Sequence, residues 1–362
     1  MAKKFMGNKL SPYTKNSAIS YGIVIAGFIA ATLMNQTGML SSSLQGQLVP
    51  ICAYIVMAVS LNLVVGISGE LSIGHAGFMS VGAFSGILCA DLLEGVVDAD
   101  PVRLTLGIIT GGIVAGVAGL IIGIPVLRLR GDYLAIVTLA FGEIIKNLMN
   151  VIYVAKDSKG IHVSTNGAME LEEDARVMLN GPMGAVGVQR ISTFLSGVIL
   201  VLFTLFVVQN IMNSRQGRAI MACRDNRIAA ESIGLNVMHY KLMAFTVSAV
   251  LAGMGGALFG LNYSSLLPIK FNFNTSVLIL VFVVLGGIGN IWGSVISAAV
   301  LTVLPEVLRA FSDYRMLVYA IVLILVMIGT YNPTLKTYKE ALINKIKGAV
   351  GKKPAAEGGA SE

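Results

Sequence analysis

The chain has 362 residues, 55% of them apolar and only 12% charged, with a mean hydropathy of +0.80. Soluble domains carry about 25% charged residues, so this composition excludes a soluble globular enzyme and describes a polytopic membrane protein. The net charge of +7 is no argument for nucleic acid, because the basic residues cluster between apolar runs and at the two ends.

From the N-terminus, lysines precede an apolar run from Ser17 to Met34 that lacks a small-residue cleavage site, so it reads as a first span and not a removed leader. Uncharged runs of about 17 to 25 residues, the length that crosses about 30 Å of hydrocarbon, predict ten helical spans. They lie at 17–34, 48–66, 74–90, 104–127, 133–154, 191–212, 242–261, 275–287, 291–308 and 316–330. The stretch 275–308 would make about 51 Å of helix, too long for one span and barely enough for two. Gly286-Gly287-Ile288-Gly289-Asn290 is its natural break, and the two short helices flanking it need protein around their ends. With the N-terminal tail inside, inner segments carry 17 of the 26 basic residues and outer segments 8, with Lys146 inside a span. Both termini are therefore expected in the cytoplasm. The chain divides into a cytoplasmic tail 1–16, a transmembrane domain 17–331 and a cytoplasmic tail 332–362 rich in Lys, Ala and Gly. An all-α fold of about ten transmembrane helices is expected. Cys52 and Cys89 lie in apolar runs and Cys223 in a basic loop, which implies no disulfide framework.

Small residues recur four apart at Gly82 and Gly86, Gly112 and Gly116, Gly119 and Gly123, Gly256 and Gly260, and Gly289 and Gly293. Such rows let helix backbones approach closely where lipid supplies no hydrophobic drive. Spans 2 to 5 begin outside and spans 7 to 10 inside, and each set holds a glycine-broken segment, Gly66 to Gly77 and Gly286 to Gly293. This suggests an inverted repeat with the interrupted helices near a solute path.

Two connections stand out. The outer loop 155–190 carries Glu170, Glu172, Glu173 and Asp174, and reads as a solvated acidic loop or as part of a platform for an external protein. The inner loop 213–241 carries Arg215, Arg218, Arg224, Arg227 and Lys241. Within it Asp225 is placed to cap a short helix from Asn226 to Ile233, with Gly234 suited to the left-handed position past its end. Ile228, Ala229, Ser232 and Ile233 then share one small apolar face, while Arg224, Arg227 and Glu231 point elsewhere. The helix is either a knob awaiting a socket or an ordinary loop helix packed on its own membrane domain.

Little in the chain suggests chemistry of its own. No Gly-x-x-x-x-Gly-Lys-Ser/Thr motif is present, and His75, His162 and His239 are scattered without metal-ligand spacing, so neither nucleotide nor metal is expected on this chain. Glu143 and Lys146 stand three apart within a span and can neutralise each other, or Glu143 can line a path. His75 follows the first glycine break, with Glu70 five residues earlier, and reads as a satisfied buried histidine or as a gate residue. Arg128, Arg130 and Asp132 form an inner turn whose headgroup anchoring is sufficient explanation.

Four stretches carry a family resemblance. Gly217 to Gly260, GRAIMACRDNRIAAESIGLNVMHYKLMAFTVSAVLAGMGGALFG, resembles the loop and following helix of ABC-importer permeases for branched-chain amino acids. Ser60 to Ala83, SLNLVVGISGELSIGHAGFMSVGA, Leu127 to Ile145, LRLRGDYLAIVTLAFGEII, and Val277 to Leu308 agree, and the likeness is greatest to the longer of the two permeases of the Liv-type importer. The resemblance implies a ten-helix type II importer fold like that of the cobalamin importer. It also implies an ATPase-coupling segment at Arg224, Arg227, Ile228, Ala229, Ala230, Glu231, Ile233 and Gly234. Here Ala229-Ala230-Glu231 departs from the general Glu-Ala-Ala signature. Ser72, Gly74, His75, Glu143, Gly286, Gly287, Gly289 and Asn290 are the expected translocation-path residues. Implied partners are a second permease in a heterodimer, two ATPase subunits holding ATP and magnesium, an extracytoplasmic solute-binding protein and the bilayer of a prokaryotic inner membrane. No nucleic acid is implied. Urea and short-amide importer permeases share these motifs, and a secondary transporter is the competing class. That class commonly couples through intramembrane carboxylates, for which Glu143 and Glu306 are the candidates here.

Overall fold

The computed structural model describes residues 12–38, 41–129, 131–157, 160–165 and 176–309, with scattered positions between 314 and 327. Contacts divide the chain into two units, 1–306 and 307–362. The description concerns the first. The expected tenth span 316–330, residues 1–11 of the N-terminal tail, the C-terminal tail and the acidic residues 170–174 lie outside the continuously described residues, while residues 12–16, expected in the tail, belong to the first helix.

The helices are α1 (Pro12–Gln36), α2 (Ser42–Asn62), α3 (His75–Leu92), α4 (Asp100–Val126), α5 (Asp132–Val151), α6 (Phe194–Asn213), α7 (Arg215–Asp225), α8 (Arg227–Ser232), α9 (Val237–Gly260), α10 (Phe273–Gly286) and α11 (Ile291–Val307). Nine of the ten expected spans correspond to one of these, with ends displaced by a few residues. Among the described residues, six segments are long and apolar enough to cross a bilayer: 42–68, α3, α4, α5, α6 and α9. The apolar part of α1, α10 and α11 are shorter. Polar caps set several starts. Ser41 accepts from the Leu44 amide, and Thr193 and Ser196 form a reciprocal capping box ahead of α6.

The core is the packing of α3, α4 and α9, and glycine makes it. A Cβ at Gly82 would collide with the Gly253 backbone, and one at Gly253 would lie 2.5 Å from the Gly111 carbonyl oxygen. One at Gly256 would strike the Met79 carbonyl. Along α4, Gly112, Gly116, Gly119 and Gly123 form a groove that receives Met254, Val250, Ala249 and Leu242 of α9, each 2.5 to 2.8 Å from the absent Cβ. With lipid as apolar as leucine, this close approach and its dispersion contacts hold the three helices together.

The fold is mostly helical, and the all-α expectation is corrected by one small sheet between α5 and α6 that the link before α10 completes. Strands β1 (Tyr153–Asp157), β2 (Gly160–Ser164), β3 (Arg176–Asn180), β4 (Ala185–Val186) and β5 (Ser265–Leu266) form one antiparallel sheet in the order β2-β1-β3-β4-β5. The reason is local. Past Val151 the chain turns to β-branched and aromatic residues interleaved with polar ones, Tyr-Val-Ala-Lys-Asp and Gly-Ile-His-Val-Ser, a pattern that suits a half-exposed strand. Asp157 accepts from the Gly160 amide (3.0 Å) and pairs with His162 (2.9 Å) across the hairpin. Arg176 on β3 fixes the sheet to the end of α3 by bridging Asp91 (3.0 Å) and Glu94. Buried Arg103 completes the anchor, donating to the Ala90 carbonyl (3.0 Å) and to Gln189 (2.9 Å).

On α5, Glu143 and Lys146 form the expected ion pair. Glu143 also accepts from the Phe273 amide (3.1 Å), the first residue of α10. It therefore neutralises a lysine and seats the start of a short helix, whose unpaired N–H groups favour an anion.

Two outcomes are expected. Gly82→Ala and Gly253→Ala should each destabilise the protein by at least about 1 to 3 kcal/mol, as overpacking does, seen as a lower Tm in detergent. Gly22→Ala, where no atom lies within 4 Å of the added carbon, should not, and equal Tm values for all three would refute the packing. Glu143→Ala should lower the membrane level of the protein more than Glu143→Ala with Lys146→Ala, because a lone charge among apolar helices costs several kcal/mol more than none. The double variant should still fall below wild type, having lost the acceptor at Phe273. Immunoblots of membrane fractions give the order, and a double variant no better than the single one would mean the pair carries no such weight.

Candidate functional site

The two glycine-rich interruptions meet. α2 loses α-helical hydrogen bonding after Asn62, winds through a π-helical turn at Leu63–Ser68 and ends at Gly69 in the left-handed conformation, φ +74°. No helix resumes until His75. α10 ends at Gly286, and Gly287 and Gly289 both take positive φ, +92° and +82°, before α11 begins at Ile291. Two left-handed positions within three residues are why this turn reads Gly-Gly-Ile-Gly.

Asn62 joins the breaks. Its side-chain oxygen accepts from the Gly289 amide (2.9 Å) and its nitrogen donates to Ser294 Oγ (3.0 Å). The side chain is fully buried, and Gly66 lies so close that a Cβ there would collide with Asn62 Oδ1 and the Gly289 amide. The sequence reading passed over Asn62. Its signal was available: a lone amide in a long apolar run, where unmatched polar groups are costly.

Around this junction hydroxyls stitch five helices. Ser60 Oγ bonds His75 Nε2 (2.8 Å), and Ser248 donates to the Ser60 carbonyl (2.6 Å). The Ala76 amide donates to Ser276 (3.2 Å) and the Ile73 amide to Thr138 (3.1 Å), where Gly74 sits against the Thr138 carbonyl. His75 is thus a buried, bonded histidine with its ring edge-to-face on Phe78. Ser72 is buried with no hydrogen-bond partner for its hydroxyl among the described residues. Ser72 and Gly74 lie on the first break, His75 opens α3, and Gly286, Gly287, Gly289 and Asn290 lie on the second break. Of these only Gly289 takes part in the contact between the breaks, while Gly74 packs on Thr138 and His75 on Ser60. The Glu143 side chain is committed to Lys146 and Phe273.

The inner loop holds two helices where one is expected. Ser214 caps α7 by accepting from the Gly217 amide (3.1 Å). Asn226, not Asp225, caps α8, accepting from the Ala229 amide (3.0 Å), because the Asp225 carboxylate is taken by the Arg224 guanidinium (2.8 and 3.0 Å). Gly234 closes the segment at φ +85°. Ile228 and Ile233 are 80% and 75% exposed, and Ala229 and Ser232 are exposed with them. Arg227 and Glu231 pair along the helix (2.8 Å). Ala230 differs from the other residues of this face: it is only 3% exposed and packs with Cys223, Val237, Leu235 and Tyr240 in a small core that binds α7 and α8 to the start of α9. Adjacent helical positions point about 100° apart, so Ala229 and Ala230 cannot share a face. Burial pushes the Cys223 thiol up from its ordinary pKa, which leaves it a core residue and not a reactive thiolate.

Two basic residues tie this block to the first break. Arg224 Nη1 donates to the Gly66 carbonyl (2.8 Å), and Lys241 pairs with Glu70.

The chain matches the family model described as branched-chain amino acid transport system / permease component over residues 43–327. It is 36% identical over 290 residues to the high-affinity branched-chain amino acid transport system permease protein LivM of Salmonella typhimurium, covering 76% of this chain and 66% of the relative. The LivM of Escherichia coli K12 matches at 36% over 291 residues, with the same coverage. The permease protein LivH of Salmonella typhimurium is 31% identical over 140 residues, 38% of this chain and 43% of LivH. The chain thus spans just under two thirds of the length of the LivM proteins it matches. No solved structure matches. With the helical membrane architecture and the paired glycine breaks, these likenesses place the chain in the branched-chain amino acid transport system permease component family.

Proposed function

We propose that this chain is the transmembrane permease subunit of an ATP-binding-cassette importer that translocates branched-chain or related hydrophobic amino acids handed over by an external binding protein. In this reading a second, related permease completes the path, two ATPase subunits bind α8 and its equivalent from the cytoplasm, and the complex lies in a prokaryotic inner membrane with both termini inside. The finer architecture proposed with it is ten crossing helices in an inverted repeat. The observation that carries the reading is the α8 knob in a member of a permease family. Ile228, Ala229 and Ile233 stand outward on a short helix held rigidly to the membrane domain, and the chain has no nucleotide-binding motif of its own.

The division of labour follows. ATP binding closes the ATPase pair and shifts the sockets that hold the knobs. The junction of the two breaks, made by Asn62 and glycine backbone, supplies a mostly neutral passage. A neutral passage suits a solute without net charge, because it holds no fixed charge that would bind one end of a zwitterion tightly and repel the other.

The test is transport by the assembled complex in proteoliposomes. Labelled leucine, isoleucine or valine should accumulate only with binding protein on one side and ATP on the side of α8. Urea uptake, or leucine uptake driven by an ion gradient without ATP, would overturn the reading. Ala229→Trp should abolish coupled uptake by overfilling the socket at about 1 to 3 kcal/mol while membrane insertion proceeds. Ala230→Trp should act differently, disrupting the Cys223–Val237 core and lowering the stability of the loop itself. Limited proteolysis of 213–241 separates the two, with Ala230→Trp cleaved faster and Ala229→Trp cleaved as wild type.

A further inference from the structure

We infer that Arg224 and the Glu70–Lys241 pair form a two-point joint that transmits movement of the cytoplasmic helix block to the junction of the two breaks. The inference rests on the proposed importer function. The block can act as one body because Cys223, Ala230 and Val237 bury against one another across α7, α8 and the start of α9. The π-helical turn gives Arg224 a carbonyl to hold. The chain leaves helix at Gly69, so the last carbonyls have no intrahelical donor, and a cation at that end also meets the negative pole of the helix. Arg224 takes the Gly66 carbonyl, and its aliphatic stem lies where a Cβ on Gly69 would fall, 2.5 Å from Cγ. Four residues on, Lys241 takes Glu70 in a pair whose side chains are only 15% and 13% exposed.

On the other side of the same turn, Gly66 faces Asn62 and the Gly289 amide. A pull on the Gly66 carbonyl therefore bears directly on the contact that holds the second break. A π-helical turn is suited to this, since it already lies off the α-helical minimum and marks functional sites more often than chance. Arg224 and Lys241 are thus positioning residues that act on the passage through Gly66 and Glu70 without touching the solute.

The test uses the full complex in proteoliposomes and scores solute moved per ATP hydrolysed. Arg224→Ala should lower that ratio at least tenfold while the ATPase subunits still co-purify. Arg224→Lys should recover part of it, since an ammonium still donates to a carbonyl but lacks the guanidinium fork. Glu70→Lys and Lys241→Glu should each lose coupling, and the exchanged pair should return to within about threefold of wild type, because reversing both charges restores the attraction. An unchanged ratio in Arg224→Ala, or an exchanged pair no better than the single changes, would overturn the joint. Loss of the ATPase subunits from Arg224→Ala would also overturn it, placing Arg224 at the docking face instead. Hydrogen exchange on the purified permease gives a reading independent of transport. Arg224→Ala should speed exchange across 66–74 at least tenfold, and unchanged exchange there would sink the joint whatever the cargo. Absence of ATP-dependent uptake in wild type, with faster exchange in Arg224→Ala, would fault the importer function and leave the mechanical link standing.

Discussion

The amide of Asn62 is the interaction on which the architecture depends. Interrupting a helix within a membrane exposes backbone N–H and C=O groups that lipid cannot satisfy, each at a cost of several kcal/mol. A carboxamide offers an acceptor and a donor on one planar head. Asn62 uses the acceptor for the Gly289 amide and the donor for Ser294, so one side chain at the start of the first interruption ties down the second. Aspartate would lack the donor and bring a charge, and leucine would provide neither group. Glycine at 66 is a consequence of this arrangement, because the backbones must come within hydrogen-bond reach of a buried side chain, whereas 287 and 289 are glycine for their positive φ.

The molecule combines two kinds of contact with different tolerance for movement. The α3, α4 and α9 trio is held by backbones lodged in glycine grooves, a fit that has no second arrangement of similar energy. The breaks are held by single hydrogen bonds from hydroxyls and one amide, each worth about 1 kcal/mol net and each replaceable by another polar partner or by water. A stiff frame with a lightly bonded seam is suited to a passage that must open and close many times. His75 and Ser60 lie where the two regimes meet, at the start of a helix that belongs to the stiff trio.

Much of this was legible in the residue order. Nine apolar runs became helices because length and hydropathy decide a crossing with little help from context. The break at 286–290 was legible because 275–308 cannot be one span. The sheet was not. Its strands are two to five residues long, and β5 lies about 80 residues from β4, so the pairing that brings the last strand in is non-local. The cap of α8 was misplaced by one residue. Asp225 and Asn226 are both good caps, and the choice between them was made by Arg224, whose guanidinium claims the aspartate. That shift does not change which face carries Ile228, but Ala230 went inward for a reason invisible in the short helix alone, the presence of Cys223 and Val237 on the flanking helices to receive it. Asn62 is less conspicuous than the ionisable groups, although an unionised amide is the cheaper way to bring hydrogen bonding into an apolar interior.

The outer sheet has an implication for exchange of parts between related permeases. Its fifth strand comes from the connection between α9 and α10, and Ala185 pairs with Leu266 while Gly184 admits the Leu266 carbonyl where any side chain would collide. The excursion after α5 and the short link before α10 are therefore one surface made from two remote pieces of gene. A chimera that swaps the 153–190 segment alone would present foreign strands to a native Ser265–Leu266, losing the register and leaving buried amides unmatched. Recombination that respects the fold must carry both pieces, so the outer face is inherited as a composite unit even though its coding segments are far apart.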